Sequence, residues 1–226
     1  MTYDLFIGDK TYSSWSLRGW LMFRKFDLPM HAHLVGLYAG TMTQDLAPVA
    51  PARLVPAMRT PDGIVVGESM AMAETLAERH PNAGLWPQDP ALRATARWLV
   101  AEMCAGFSAL RGDCPMQLKR AYREFQPSEA VQADLARIET LFAYARGQSG
   151  AASGPLFGTY CLADVFYTPV AARIIGYGLP VSEPVQSYAL KLLSDPAVQE
   201  WRADGLTVSY EPEPYVLDLP SDAWPV

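Results

Sequence analysis

Cysteine and histidine are scarce in this 226-residue chain, with three of each. Cys104, Cys114 and Cys161 are odd in number and form no CxxC pair, which argues against a disulfide framework and fits a reducing compartment. His31 and His33 have no cysteine or carboxylate cluster at ligand spacing, so they read as solvated strand-edge residues and no metal is expected. Basic residues are outnumbered, 18 Lys and Arg against 24 Asp and Glu, and form no run. A net charge of −6 therefore argues against nucleic acid as a partner. No apolar run approaches the roughly 18 residues that mark a membrane span. Residues 1–10 lack the basic start and apolar stretch of a secretory signal. The expectation is a cytoplasmic protein without a membrane partner.

What is present is globular: half of the residues are hydrophobic and 19% are charged. Over the first 80 residues the patterning is mixed. Residues 5–7 and 33–37 read as strands, with a helix over 14–27 whose apolar groups Leu17, Trp20, Leu21 and Phe23 keep near-helical spacing. Residues 54–58 and 64–66 flank Thr60-Pro61-Asp62-Gly63, a strong turn signal, and predict an antiparallel hairpin. A helix follows from Ser69 to His80-Pro81. Residues 82–87 read as a linker. Beyond about residue 90 strand signals vanish, and amphipathic stretches predict helices near 90–112, 128–147, 162–176, 184–194 and 196–203. Residues 147–154 read as a surface loop, and the last twenty residues, with four prolines, as an extended tail.

Four segments carry chemistry. Tyr12-Ser13-Ser14-Trp15-Ser16-Leu17-Arg18 follows the first strand; Pro51 to Met58 contains the pair Val55-Pro56; Gly67-Glu68-Ser69 precedes a helix; and Gly158 to Asp164 opens another. Each has an ordinary structural explanation. The serines can cap the first helix, Ser69 is a good N-cap for its own, and a proline at a strand edge is usually trans. Taken together, in this order and spacing, the four segments resemble the glutathione transferase family, specifically its serine-type, zeta-like members.

The resemblance implies an α/β plus all-α fold: a thioredoxin-like domain of order βαβαββα over residues 1–81, then an all-helical domain with an extended tail over 88–226. It implies glutathione as co-substrate, a small hydrophobic electrophile as second substrate, no metal and a homodimer. Ser13 or Ser14 would orient the thiolate. A free thiol has a pKa near 8.5. Lowering it by two units takes about 2.7 kcal/mol, which a hydroxyl and a helix N-terminus can supply. Val55 and a cis Pro56 would pair with the tripeptide backbone, while Glu68 and Ser69 hold its γ-glutamyl end. Met103, Phe107 and Arg111 would line the electrophile pocket. Cys161 departs from the Ser or Thr usual at that helix start, so a weaker cap is expected there, with Asp164 structural. Conjugation and isomerisation, as of maleylacetoacetate, both stay open. A non-catalytic ligand- or protein-binding module is the alternative. A glutathione-dependent reductase would need a cysteine where the serines stand.

Overall fold

The apolar residues 5–7 form the centre of a sheet. In the computed structural model, which describes residues 2–225, β1 (Tyr3–Ile7) pairs in parallel with β2 (Met30–Leu34) and antiparallel with β3 (Ala57–Arg59). β4 (Val65–Val66) adds to β3 antiparallel, giving the order β2-β1-β3-β4. Side chains alternate across this sheet. Tyr3, Leu5 and Ile7 enter the main core, whereas Phe6 joins Val35, Leu46, Val49 and Ala57 in a smaller cluster. The first part of the chain thus runs β1, α1 (Ser14–Arg24), β2, α2 (Met42–Asp45), β3, β4, α3 (Ser69–Arg79), the thioredoxin-like order. The second part is built from α4 (Pro90–Ala105), α5 (Ser108–Asp113), α6 (Glu129–Ser149), α7 (Leu162–Gly176), α8 (Glu183–Leu193) and α9 (Pro196–Gly205). No helix among the described residues is long and apolar enough to cross a membrane.

Several boundaries differ from the sequence expectation. The second strand lies at 30–34 rather than 33–37, because its register follows the five residues of β1; Val35 leaves the ladder to fill the smaller cluster. The hairpin strand begins after Pro56, which has no N–H to give to a ladder. The helix expected over 90–112 is broken: Gly106 ends α4, and Phe107 turns left-handed at φ 55° before α5 begins. Gly147 lies within α6, so the loop after it starts later. Strand structure also returns. β5 (Arg120–Tyr122) pairs antiparallel with β6 (Ser221–Ala223). The end of the tail therefore folds back and buries Trp224.

One core runs from β1 to α9, with α1 as its hub. Gly19 allows α1 to lie against the loop before β3: a Cβ there would stand 2.6 Å from Pro56. On its other side Trp20 meets Trp201 of α9, with ring centroids 5.5 Å apart. α7 is apolar nearly all round and buried at almost every position, as a central helix must be. Its first turn is held by Asp164, which is fully buried. The Asp164 carboxyl accepts from the Cys161 N–H at 2.9 Å, the Leu156 N–H at 3.3 Å and the Tyr188 hydroxyl at 2.8 Å.

Burial pushes the Asp164 carboxyl above the ordinary aspartate range, against the lowering effect of these donors. A folded-state value raised in this way means that the native state holds the proton longer than the unfolded chain. The contribution of this group to stability therefore falls as pH rises from the ordinary carboxylate range through the raised value. Replacing Asp164 with Ala leaves three buried donors without a partner, at about 1–3 kcal/mol each. We expect Asp164→Ala to lower the unfolding free energy by about 3 kcal/mol or more, read from urea denaturation. A loss below 1 kcal/mol would mean that the carboxyl is not what holds this turn.

Candidate active site

A cavity of about 390 Å³ lies between the sheet-bearing part of the chain and the helices that follow. Ser13, Ser14, Val55, Pro56, Glu68 and Ser69 all line it, and so does Arg111. Met103 and Phe107 do not. Both are buried in the core, and Met103 instead places its sulfur 3.3 Å from Arg18 Nη1. The resemblance implies all three at the pocket, whereas their near-helical apolar spacing suits the core, where Met103 and Phe107 lie. After the turn at Gly106-Phe107, α5 carries Arg111, the one of the three at the cavity.

The serine wall begins with Ser13, the N-cap of α1. Its hydroxyl oxygen accepts from the Ser16 N–H at 3.3 Å and lies 2.8 Å from Ser16 Oγ, with which it shares a hydrogen bond. Ser16 is fully buried and its oxygen also accepts from the Gly8 N–H at 2.8 Å. Ser14, the first residue of α1, shows no side-chain hydrogen bond among the described residues. Tyr12 also lines the cavity, but burial pushes its hydroxyl up to about 12, and it donates to the Tyr210 carbonyl at 3.0 Å. It is tied to the tail rather than free to hold an anion.

The facing loop positions the other residues. Val55-Pro56 is a cis peptide immediately before β3. Ser69 is the first residue of α3 rather than its cap. Glu68 holds the cap position at φ 61°, a left-handed conformation unusual for a residue with a side chain, and makes no cap hydrogen bond. Such strain costs about 1–3 kcal/mol and persists where its surroundings demand it. The start of α3 thus has no side-chain cap among the described residues and lies at the cavity lined by Glu68 and Ser69, the local chemistry of a carboxylate site.

The opposite wall is cationic, which the sequence reading missed except at Arg111. Arg173, on α7, lines the cavity although it is 3% exposed; its one recorded side-chain bond is from Nη1 to the Pro169 carbonyl at 3.1 Å, and its Nε has no partner. Arg111 donates to the carbonyls of Cys104 and Gly106, at 3.2 and 3.1 Å. Arg18 is buried behind them, its guanidinium 4.9 Å from the Trp15 ring, whose other neighbour is Arg111 at 4.5 Å. Among the described residues none of these three arginines forms an ion pair. Burial first, then repulsion from Arg18, pushes Arg173 down to about 10, so it stays charged at neutral pH. A lone arginine inside the apolar run of α7 was the signal available in the sequence. Tyr215 of the tail closes the rim, held by the Tyr122 hydroxyl donating to its carbonyl at 3.0 Å.

Residues 12–79 match the family model "Glutathione S-transferase, N-terminal domain". A probable maleylacetoacetate isomerase of Drosophila melanogaster is 31% identical over 100 residues, 43% of this chain and 40% of that protein. The maleylacetoacetate isomerase of Rattus norvegicus is 35% identical over 69 residues, 30% of this chain and 32% of that one. The matched stretches span less than half of each relative. Among solved structures, a glutathione transferase homolog from Burkholderia with bound glutathione superposes at a TM-score of 0.67 and 23% identity, covering 92% of this chain and all of that one. Glutathione transferase Omega 2S from Trametes versicolor, in complex with 2,4-dihydroxybenzophenone, gives a TM-score of 0.68 at 18% identity, covering 91% and 95%. Residues 12–79 thus match the N-terminal domain of the glutathione S-transferases, and nearly the whole chain takes the fold of solved glutathione transferases.

Proposed function

We propose that this protein binds glutathione along the Ser13, Val55 and Glu68-Ser69 wall and adds its thiolate to a small electrophile that carries a carboxylate. The observation that carries the reading is one cavity with a hydroxyl-lined helix mouth on one side and unpaired guanidinium groups of Arg111 and Arg173 on the other. The uncapped start of α3 suits the γ-glutamyl carboxylate, Glu68 its amino group, and the Val55 backbone the cysteinyl unit. Ser13, where the helix N–H groups converge, donates to sulfur, and the thiol proton leaves to water. Ser14 supplies a second hydroxyl nearby.

The cationic wall favours the isomerase reading named for the relatives. Maleylacetoacetate carries a double bond conjugated to a ketone and ends in carboxylates. Thiolate sulfur would bond to one alkene carbon, the electron pair moving to the ketone oxygen as an enolate. Rotation about the resulting single bond and return of the electrons would expel the thiolate and leave the trans alkene. Nothing is oxidised, and glutathione is recovered. Arg111 and Arg173 hold the carboxylate while the enolate charge builds. A homodimer and a cytoplasmic location belong to the same reading. The exposed Trp98 and Tyr144, edge to face at 5.6 Å, offer an apolar patch for a second copy.

Calorimetric titration with glutathione is expected to show saturable binding, and maleylacetoacetate to be turned over only when glutathione is present. Absence of heat at millimolar glutathione would sink the proposal. Binding without turnover of any electrophile would favour the non-catalytic module.

A further inference from the structure

Behind the Ser13 hydroxyl lies a second one that does not reach the cavity. Ser16 is fully buried on α1, one turn beyond the cap, and does not line the site. Its oxygen accepts the Gly8 N–H at 2.8 Å, and Ser13 Oγ lies 2.8 Å away on the other side. The Gly8 amide belongs to the chain leaving β1 and can only donate. A hydroxyl is both donor and acceptor and turns freely about its C–O bond, so the Ser13–Ser16 contact can run in either direction across the same distance. Ser16 accepts from Gly8, and Ser13 Oγ is its other hydroxyl partner among the described residues, so the Ser16 proton can be given to Ser13 Oγ.

We propose that Ser16 is a positioning residue that donates to Ser13 Oγ and so leaves the Ser13 proton for the sulfur of bound glutathione. The Ser13 proton points outward to the sulfur while the Ser16 proton is given to Ser13 Oγ. Three donors then point the same way, from Gly8 N–H to Ser16 to Ser13 to thiolate, and each polarises the next. Ser13 keeps its acceptor role toward the Ser16 N–H throughout. No covalent bond is made or broken. The inference rests on the proposed function, and concerns how that site lowers the thiol pKa.

Other charges act on the bound thiolate as well: Glu68 on the α3 side and Arg18, Arg111 and Arg173 on the helical side. All of them are untouched by a change at Ser16, so a difference between parent and variant isolates the relay. A merely structural serine would, when replaced, weaken every ligand of the cavity alike.

The test compares the parent with Ser16→Ala and Ser16→Thr, the latter restoring a hydroxyl. Each is titrated with glutathione and with S-methylglutathione, which has no thiolate, and the thiol pKa of bound glutathione is followed by its ultraviolet thiolate absorbance. Ser16→Ala is expected to raise that pKa by about one unit and weaken thiolate stabilisation about tenfold, the worth of one charge-assisted hydrogen bond. S-methylglutathione affinity should stay within about twofold of the parent, and Ser16→Thr should recover the parent pKa in part. Equal weakening toward both ligands, or an unchanged thiol pKa in Ser16→Ala, would overturn the inference while leaving glutathione binding by the parent intact. A parent that binds no glutathione overturns the functional reading instead and takes this inference with it.

Discussion

Ser13→Ala is expected to lower kcat/KM for glutathione-dependent turnover on the order of 100-fold, which corresponds to about 2.7 kcal/mol. The bound thiol should titrate near its free value of about 8.5. The hydroxyl sits at the N-cap of α1, so it is the donor nearest to where the helix N–H groups converge. The substitution also removes the cap bond to the Ser16 N–H, worth about 1 kcal/mol of stability. That confounding loss is separable. Ser13→Asp retains an oxygen that caps the helix but places an acceptor and a negative charge beside the sulfur. It should match the parent in urea denaturation while raising the thiol pKa further than Ala does. Ser14→Ala removes a hydroxyl with no structural partner and is expected to cost less than tenfold. A Ser14→Ala variant that falls further than Ser13→Ala would assign the thiol to the second serine.

The parts of this molecule that were readable from sequence are those whose signals are local. The Ser13-Ser14 helix start, the turn at residues 60–63 and the Ser69 helix each depend on residues within one or two turns of chain, and each stands within a few residues of its expected place. Ser69 shows the limit of that reading. It has the chemistry of a cap, yet the backbone turns left-handed one residue earlier at Glu68, and the helix begins without a side-chain cap. The break at Gly106-Phe107 follows the same pattern. The apolar spacing of Trp98, Met103, Phe107 and Leu110 runs through it without interruption, but a Cβ at Gly106 would stand 2.8 Å from the Glu102 carbonyl. That crowding comes from the last turn of α4 itself, and the apolar spacing does not register it. β5 and β6 are three residues each and lie about a hundred positions apart. Strands so short carry no periodicity, and their pairing comes from burial of Trp224 and from Tyr122 holding the tail. Arg173 was missed for a different reason: an arginine in a helix is ordinarily a solvated one, and nothing adjacent in sequence reveals that α7 is buried all round.

Arg173→Met is expected to move activity and stability in opposite directions. A guanidinium 3% exposed, with no carboxylate partner and an unpaired Nε among the described residues, is costly to the free protein. Repulsion from Arg18 and Arg111 adds to that cost. An unbranched apolar side chain of similar reach fills the same space without the charge, so the denaturation midpoint of Arg173→Met should rise. Turnover of a carboxylate-bearing electrophile should fall by roughly 100-fold or more, the loss of about 3 kcal/mol that follows removal of one partner from a buried ion pair. The loss should appear chiefly in KM if Arg173 only anchors the carboxylate, and in kcat as well if it also steadies enolate charge. A neutral electrophile conjugated in the same cavity provides the internal control and should retain its rate. Arg173→Lys keeps a charge but not the planar fork, and is expected to lie between the two. Stabilisation together with an unchanged rate on the anionic substrate would show that the buried charge serves something other than this anion. A destabilised Arg173→Met would show that the guanidinium is satisfied in the free protein and has no vacancy for a ligand to fill.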